Sequence, residues 1–193
     1  APFLSGGGYC SEATSFAIGL KKITNVQTVH HGDSFRQGYV DGLDQDTYQA
    51  MYHMTYLEKI APKSGVVVCH SEPGAWHPAR YQTSRCPPEG SLYTVGRTMF
   101  ETDRLPKGWA ERINKLNESW VPTEFHRKVF EEGGVDPAKL KVVGEPVDTS
   151  FYNPARKDLE CHKFSNLRPP PEHRAPPPTG ETSSEGGGGS GPR

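Results

Sequence analysis

Apolar positions in this chain fall into short runs, and their period changes between helical and extended spacing from run to run. Residues 11–20 read as a helix with Phe16, Leu20 and Ile23 along one side. Residues 25–30 read as a strand, Val26 and Thr28 alternating with Gln27 and Val29. Asp44 or Asp46 can cap a helix through Tyr48, Met51, Tyr52, Thr55 and Tyr56 to Lys59, a spacing that predicts a core-facing stripe. Val66-Val67-Val68-Cys69 is a continuous apolar run suited to a strand buried on both faces. A strand over 92–100 follows, then a short helix over 109–116 opened by Leu105-Pro106. A second short strand over 118–121 is stopped by Pro122. Thr123 reads as the N-cap of a helix carrying Phe125, Val129 and Phe130 on one face and ending at Gly133-Gly134. A strand over 140–143 comes last.

Strands alternating with short helices predict an α/β fold, a Rossmann-like, mostly parallel sheet with helices on both faces. Such sheets take ligands at the carboxyl ends of their strands. That rule selects His70, Glu72 and Trp76 after the apolar run, Glu101 and Asp103 after the next strand, Pro122-Thr123, and 145–148. His70 suits proton transfer or hydroxyl binding near neutral pH. Glu72 can orient a hydroxyl, and Trp76 offers an apolar plate for a sugar face. A connector histidine bonded to backbone and a local Asp103–Arg104 ion pair are the plainer alternatives. The turn Gly6-Gly7-Gly8 precedes a helix start, where free N–H groups attract anions; a turn needing positive φ explains it equally well. His31 and Asp33 sit in a polar loop after the strand over 25–30. His30, His31, Asp33 and His70 raise a metal-dependent hydrolase as a third possibility. Adjacent histidines in a strand point to opposite faces, however, and we expect no metal site.

The ordered blocks E-T-D-R-L-P, N-x-x-N-E-S-W-V-P-T-x-F, F-x-x-G-G-V and K-V-V-G-E-P-V-D-T-x-F, within 101–151, resemble the two-domain GT-B glycosyltransferases, family 4 in particular. The resemblance covers residues 1–153 and implies the N-terminal, acceptor-side Rossmann-like domain. It implies a nucleotide-sugar donor as substrate, no separate cofactor, and an acceptor glycan or other hydroxyl compound. Within it, Gly6, Gly7 and Gly8 would face the donor diphosphate. His70 would be the catalytic candidate, and His31, Asp33, Glu72, Trp76, Glu101 and Asp103 the acceptor-binding set. The donor domain of such enzymes has no counterpart here, so the chain is expected to be a fragment and inactive alone. The alternative is a non-catalytic carbohydrate- or partner-binding α/β module.

Composition narrows this further. With 22 basic and 23 acidic residues, the bulk charge gives no reason to expect nucleic acid as a partner. From Arg168 onward almost nothing can be buried, which predicts a disordered Pro/Gly/Ser-rich tail over 168–193 after a weakly structured connector over 154–167. The four cysteines, Cys10, Cys69, Cys86 and Cys161, form no C-x-x-C pair. They suggest a reducing, cytoplasmic setting, with Cys69 a small buried residue. No apolar run reaches the ~20 residues of a membrane span. The opening Pro2-Phe3-Leu4 reads as the tail of a strand.

Overall fold

The computed structural model describes residues 3–30, 35–77, 86–147, 149 and 153. The chain divides into Ala1–Tyr152 and Asn153–Arg193. The expected connector and tail fall in the second unit, outside the described residues, as do His31 and Asp33 in the first.

Four parallel strands, β1 (Val66–His70), β2 (Tyr93–Arg97), β3 (Glu118–Val121) and β4 (Leu140–Val142), lie side by side in chain order. The register sets Cys69 beside Gly96 and His70 beside Arg97, and Arg97 in turn beside Trp120. Because successive side chains alternate across a strand, Cys69, Val121 and Leu140 serve one face, and His70, Arg97 and Trp120 the other. The first face is covered by α4 (Trp109–Ile113) and α5 (Glu124–Glu132), with Trp76, Ile113, Leu116, Val129, Phe130 and Val135 filling the core. The second is covered by α1 (Gly8–Lys21), whose Phe16 ring lies near both His70 and Trp120. Helices on both faces of a parallel sheet are what the alternation of elements predicts.

Local signals explain the boundaries. Thr123 accepts the His126 N–H and caps α5, which closes at Gly133 before left-handed Gly134 (φ 93°). Asp44 accepts the Thr47 N–H and opens α3 (Gln45–Tyr52), preceded by the single turn α2 (Gln37–Val40). α3 then passes into a π-helical turn over His53–Leu57.

Several expectations change. Residues 25–30 join no ladder. The Thr28 N–H donates to the Met54 carbonyl and the Ile60 N–H to Gln27 Oε1, so this extended segment is sewn to the helix pair instead of the sheet. Phe3 and Leu4 lie in a turn, with Phe3 packed into a second small core with Ala13, Ala17, Met51 and Met54. Along α3 and the π turn, Met51 and Met54 are the buried positions, whereas Tyr48, Tyr52 and Tyr56 stack along the exposed side. Phe125 and Ile23 are exposed too.

The cysteine expectation is also corrected. Cys69 and Cys86 form a disulfide across a sequence separation of 17. Cys86 is brought there by backbone pairing with the strip after β1: the His77 N–H donates to the Cys86 carbonyl, and Trp76 bridges to Cys86. No spacing rule reports such a pairing, because the partners meet only once β1 and the strip after it are in place.

Two outcomes follow from this packing. A methyl group at Gly96 would run into the Trp76 ring and come within 2.7 Å of Leu116 Cδ1. Gly96→Ala should therefore lower the urea-unfolding stability by about 1–3 kcal/mol, and an unchanged midpoint would mean that Trp76 is not seated there. Reducing the disulfide should cost about 3 kcal/mol, the loop-closure value for a loop of this size. Thermal unfolding with and without reductant, alongside non-reducing peptide mapping of Cys69 to Cys86, measures it.

Candidate functional site

Two features meet at the carboxyl end of the sheet: a buried charge cluster and an open cleft. The cluster arises because His70 and Arg97 are register neighbours on the α1 face, and Glu12 on α1 projects between them. Glu12 Oε2 accepts from His70 Nε2 at 2.8 Å, and Oε1 accepts from Arg97 Nε at 2.8 Å and from its Nη2. Arg97 is fully buried, also donates through Nη1 to the Val143 carbonyl, and lies 5.2 Å over the Phe16 ring. An ionised carboxylate only accepts, so His70 carries its proton on Nε2.

Burial pushes the Glu12 carboxyl up, but the hydrogen bonds from His70 and Arg97, with the Arg97 charge, leave it below its ordinary value. Burial pulls the His70 imidazole below its ordinary value, more than Glu12 raises it. At neutral pH the cluster is thus a carboxylate, a guanidinium and a neutral imidazole, with no net charge.

His70 is therefore corrected from a rim residue to a buried one, 4% exposed and engaged by Glu12. Trp76 is corrected as well. Its ring is fully buried in the core with Nε1 donating to Ser71 Oγ, so it presents no plate to a ligand. Alternation accounts for His70, the last position of β1, which points into a layer; Trp76 lies beyond the strand, after the 3-10 turn, where its bridge to Cys86 turns the ring back over Gly96.

The rim holds a cleft of about 360 Å³ lined by Gly8, Tyr9, Glu72, Met99, Phe100, Glu101 and Trp109. Three regions that the sequence marks separately, the glycine turn, Glu72 and Glu101, thus border one space. Tyr9 donates to the Met99 carbonyl at 2.9 Å and lies 3.2 Å from Thr98 Oγ1, which ties the start of α1 to the exit of β2. Burial raises the Tyr9 phenol, its hydrogen bonds to Thr98 and Met99 lower it, and the Glu72 and Glu101 charges raise it further. Phe100 packs on Trp109 with centroids 4.8 Å apart. Gly74 leaves room beside it for both Glu72 and the Trp109 indole, for a Cβ there would sit 3.1 Å from Glu72 Oε1 and 3.8 Å from Trp109 Nε1.

The remaining expected residues are less involved. Gly6 takes φ 73° with Tyr39 packed against it, so a turn requirement accounts for it, and Gly7 faces open space away from the cleft lining, leaving Gly8 as the glycine of this turn that borders it. Asp103 pairs with Arg104 at the exposed surface, off the cleft lining, and that ion pair holds its carboxyl below the usual value.

Two participants went unmarked by the sequence. Glu12 falls within the helix expected over 11–20, where nothing local separates it from a solvent-facing carboxylate; its partners His70 and Arg97 become legible only once the register is known. His126, in the first turn of α5 after β3, shares a hydrogen bond between Nδ1 and Thr123 Oγ1, and its Nε2 is buried with no hydrogen-bond partner among the described residues. Burial lowers this imidazole, and the Glu101 and Glu145 charges oppose that. Among the described residues, no group of three or more His, Cys, Asp or Glu is arranged to hold a metal ion.

Comparison with known proteins gave no match to a family model, a curated protein or a solved structure. No helix among the described residues is long and apolar enough to cross a membrane.

The cluster dictates an acid response. His70 has a lower pKa folded than unfolded, so its contribution is whole above the unfolded value of about 6.5 and is lost as pH falls toward the folded value. Glu12 adds a second loss as pH falls below about 4.3, its unfolded value, through its lower folded one. Urea midpoints should decline from pH 6.5 downward, and His70→Gln should flatten the portion above pH 5. Arg97→Ala, which strands the Glu12 charge, should cost about 3–5 kcal/mol.

Proposed function

We propose that this chain is the acceptor-side part of a sugar-transferring enzyme of GT-B type, binding a hydroxyl-bearing acceptor in the cleft between Tyr9, Glu72, Glu101 and Trp109. One observation carries it: the cleft lies beyond the carboxyl ends of β1 and β2, where parallel α/β sheets bind ligands, and it combines aromatic surface with two carboxylates. Aromatic rings suit the apolar face of a pyranose, and carboxylates accept hydrogen bonds from its hydroxyls. At about 360 Å³ the cleft falls in the lower part of the ligand-site range of about 300–1,000 Å³. The sequence resemblance over 101–151 supplies the transferase part of the proposal. The donor nucleotide sugar would be gripped mainly by a second domain, so this chain binds acceptor and does not turn over alone.

A second reading, a non-catalytic carbohydrate-binding module, is favoured by one specific observation. The histidine expected to carry the transfer chemistry, His70, is engaged by Glu12 inside the protein. The Cys69–Cys86 disulfide further favours an oxidising compartment over the cytoplasm.

Calorimetric titration of monosaccharides and short glycans onto the purified chain, with and without a nucleoside diphosphate, separates these. Sugar binding that shifts when diphosphate is added supports the transferase half. Binding indifferent to diphosphate supports the module, and no sugar binding removes both. Turnover of a nucleotide sugar by this chain alone at about 1 per second would refute the half-enzyme view.

A further inference from the structure

We propose that the cleft selects an acceptor bearing an ammonium group, an amino sugar over its neutral and acidic counterparts; this rests on the sugar-acceptor reading above. Two of the seven residues that line it carry charge, and both are carboxylates, Glu72 and Glu101. Both border the same space as Tyr9, whose phenol ties α1 to the exit of β2 and is raised by the charge of each. The N-terminus of α1 begins at Gly8 and contributes about half of one positive charge. Two full negative charges outweigh it, so the space beside the glycine turn is hostile to phosphate or uronate, contrary to the diphosphate-facing role that the resemblance assigns to Gly6–Gly8.

The neutral part of the lining points the same way. Phe100 and Trp109 pack at 4.8 Å with planes 59° apart, and both line the cleft together with the Tyr9 ring. The faces of such rings carry negative quadrupole density that attracts ammonium groups, while their carbon surface accepts the C–H face of a sugar. Carboxylate and ring together suit one ligand chemistry, a cationic nitrogen on a polyol.

The test uses the whole 193-residue chain and four probes: glucosamine, glucose, glucuronate and tetramethylammonium. Binding is read by chemical-shift titration at low and at raised salt, on the wild type and on Glu101→Gln, Glu72→Gln and the double variant. The amide spectrum of each variant reports whether it is folded. We expect glucosamine to bind about tenfold more tightly than glucose, glucuronate to bind weakest, and the preference to shrink in each single variant, vanish in the double variant and fall with salt. Equal affinity for glucosamine and glucose in the wild type overturns the charge selection while leaving the sugar cleft standing. Tetramethylammonium binding without any sugar supports the charge selection and removes the sugar reading. Tightest binding of glucuronate, or binding of none of the four, overturns the proposal.

Discussion

The Glu12 carboxylate held between Arg97 and His70 is the interaction on which the arrangement of this protein depends. It joins three elements remote in sequence, for Glu12 lies 85 residues from Arg97 and 58 from His70. Through it α1 is seated on one face of the sheet, the β1–β2 register is fixed on that face, and the chain leaving β4 is tied at the Val143 carbonyl. A buried pair of this kind adds little net stability against an apolar substitute of the same shape, but removing one partner is costly. Its contribution is therefore mainly to uniqueness. One placement of α1 satisfies all three side chains, and a slip of β1 by one residue would carry His70 to the opposite face.

The opposite face works by a different physics. There the sheet is stapled by Cys69–Cys86 and packed by Trp76 over Gly96, an apolar assembly with little polarity to satisfy. The cleft forms where the two regimes end together, at the rim. His70 is the last residue of β1 and points into the charged layer, while Glu72, two positions on and outside the ladder, reaches the rim. A strand terminus thus divides structural from ligand-facing chemistry within three residues.

How much of this was written in the chain differs by element. The four strands of the sheet, the Thr123 and Asp44 caps and the Gly134 stop were legible because each depends on local spacing and cap chemistry. The rim rule selected Glu72 and Glu101, which border one cleft together with Gly8 of the glycine turn, and also Asp103, which lies off it. It overshot at His70, because nothing in a single strand tells which end residues face the layers, and at Trp76, because its return into the core depends on the long-range pairing with Cys86. The strand expected over 25–30 has the right alternation but binds the helix pair through Thr28 and Gln27, a tertiary choice the pattern does not record. The tyrosines of α3 follow the same lesson: helical spacing identified a stripe, and the two methionines, Met51 and Met54, decided which side of it was buried. Glu12 and the Cys86 partner of Cys69 were illegible because both are long-range pairings.

Gly74 gives the cleft an unusual kind of adjustability. With only a hydrogen at that position, both Glu72 Oε1 and Trp109 Nε1 come close to Gly74, at 3.1 and 3.8 Å from where a Cβ would stand. The room left to one of the two carboxylates that border the cleft is therefore set in part by the size of an uncharged neighbour buried beside it. A single methyl group there would press on that carboxylate without any acidic or aromatic residue being exchanged.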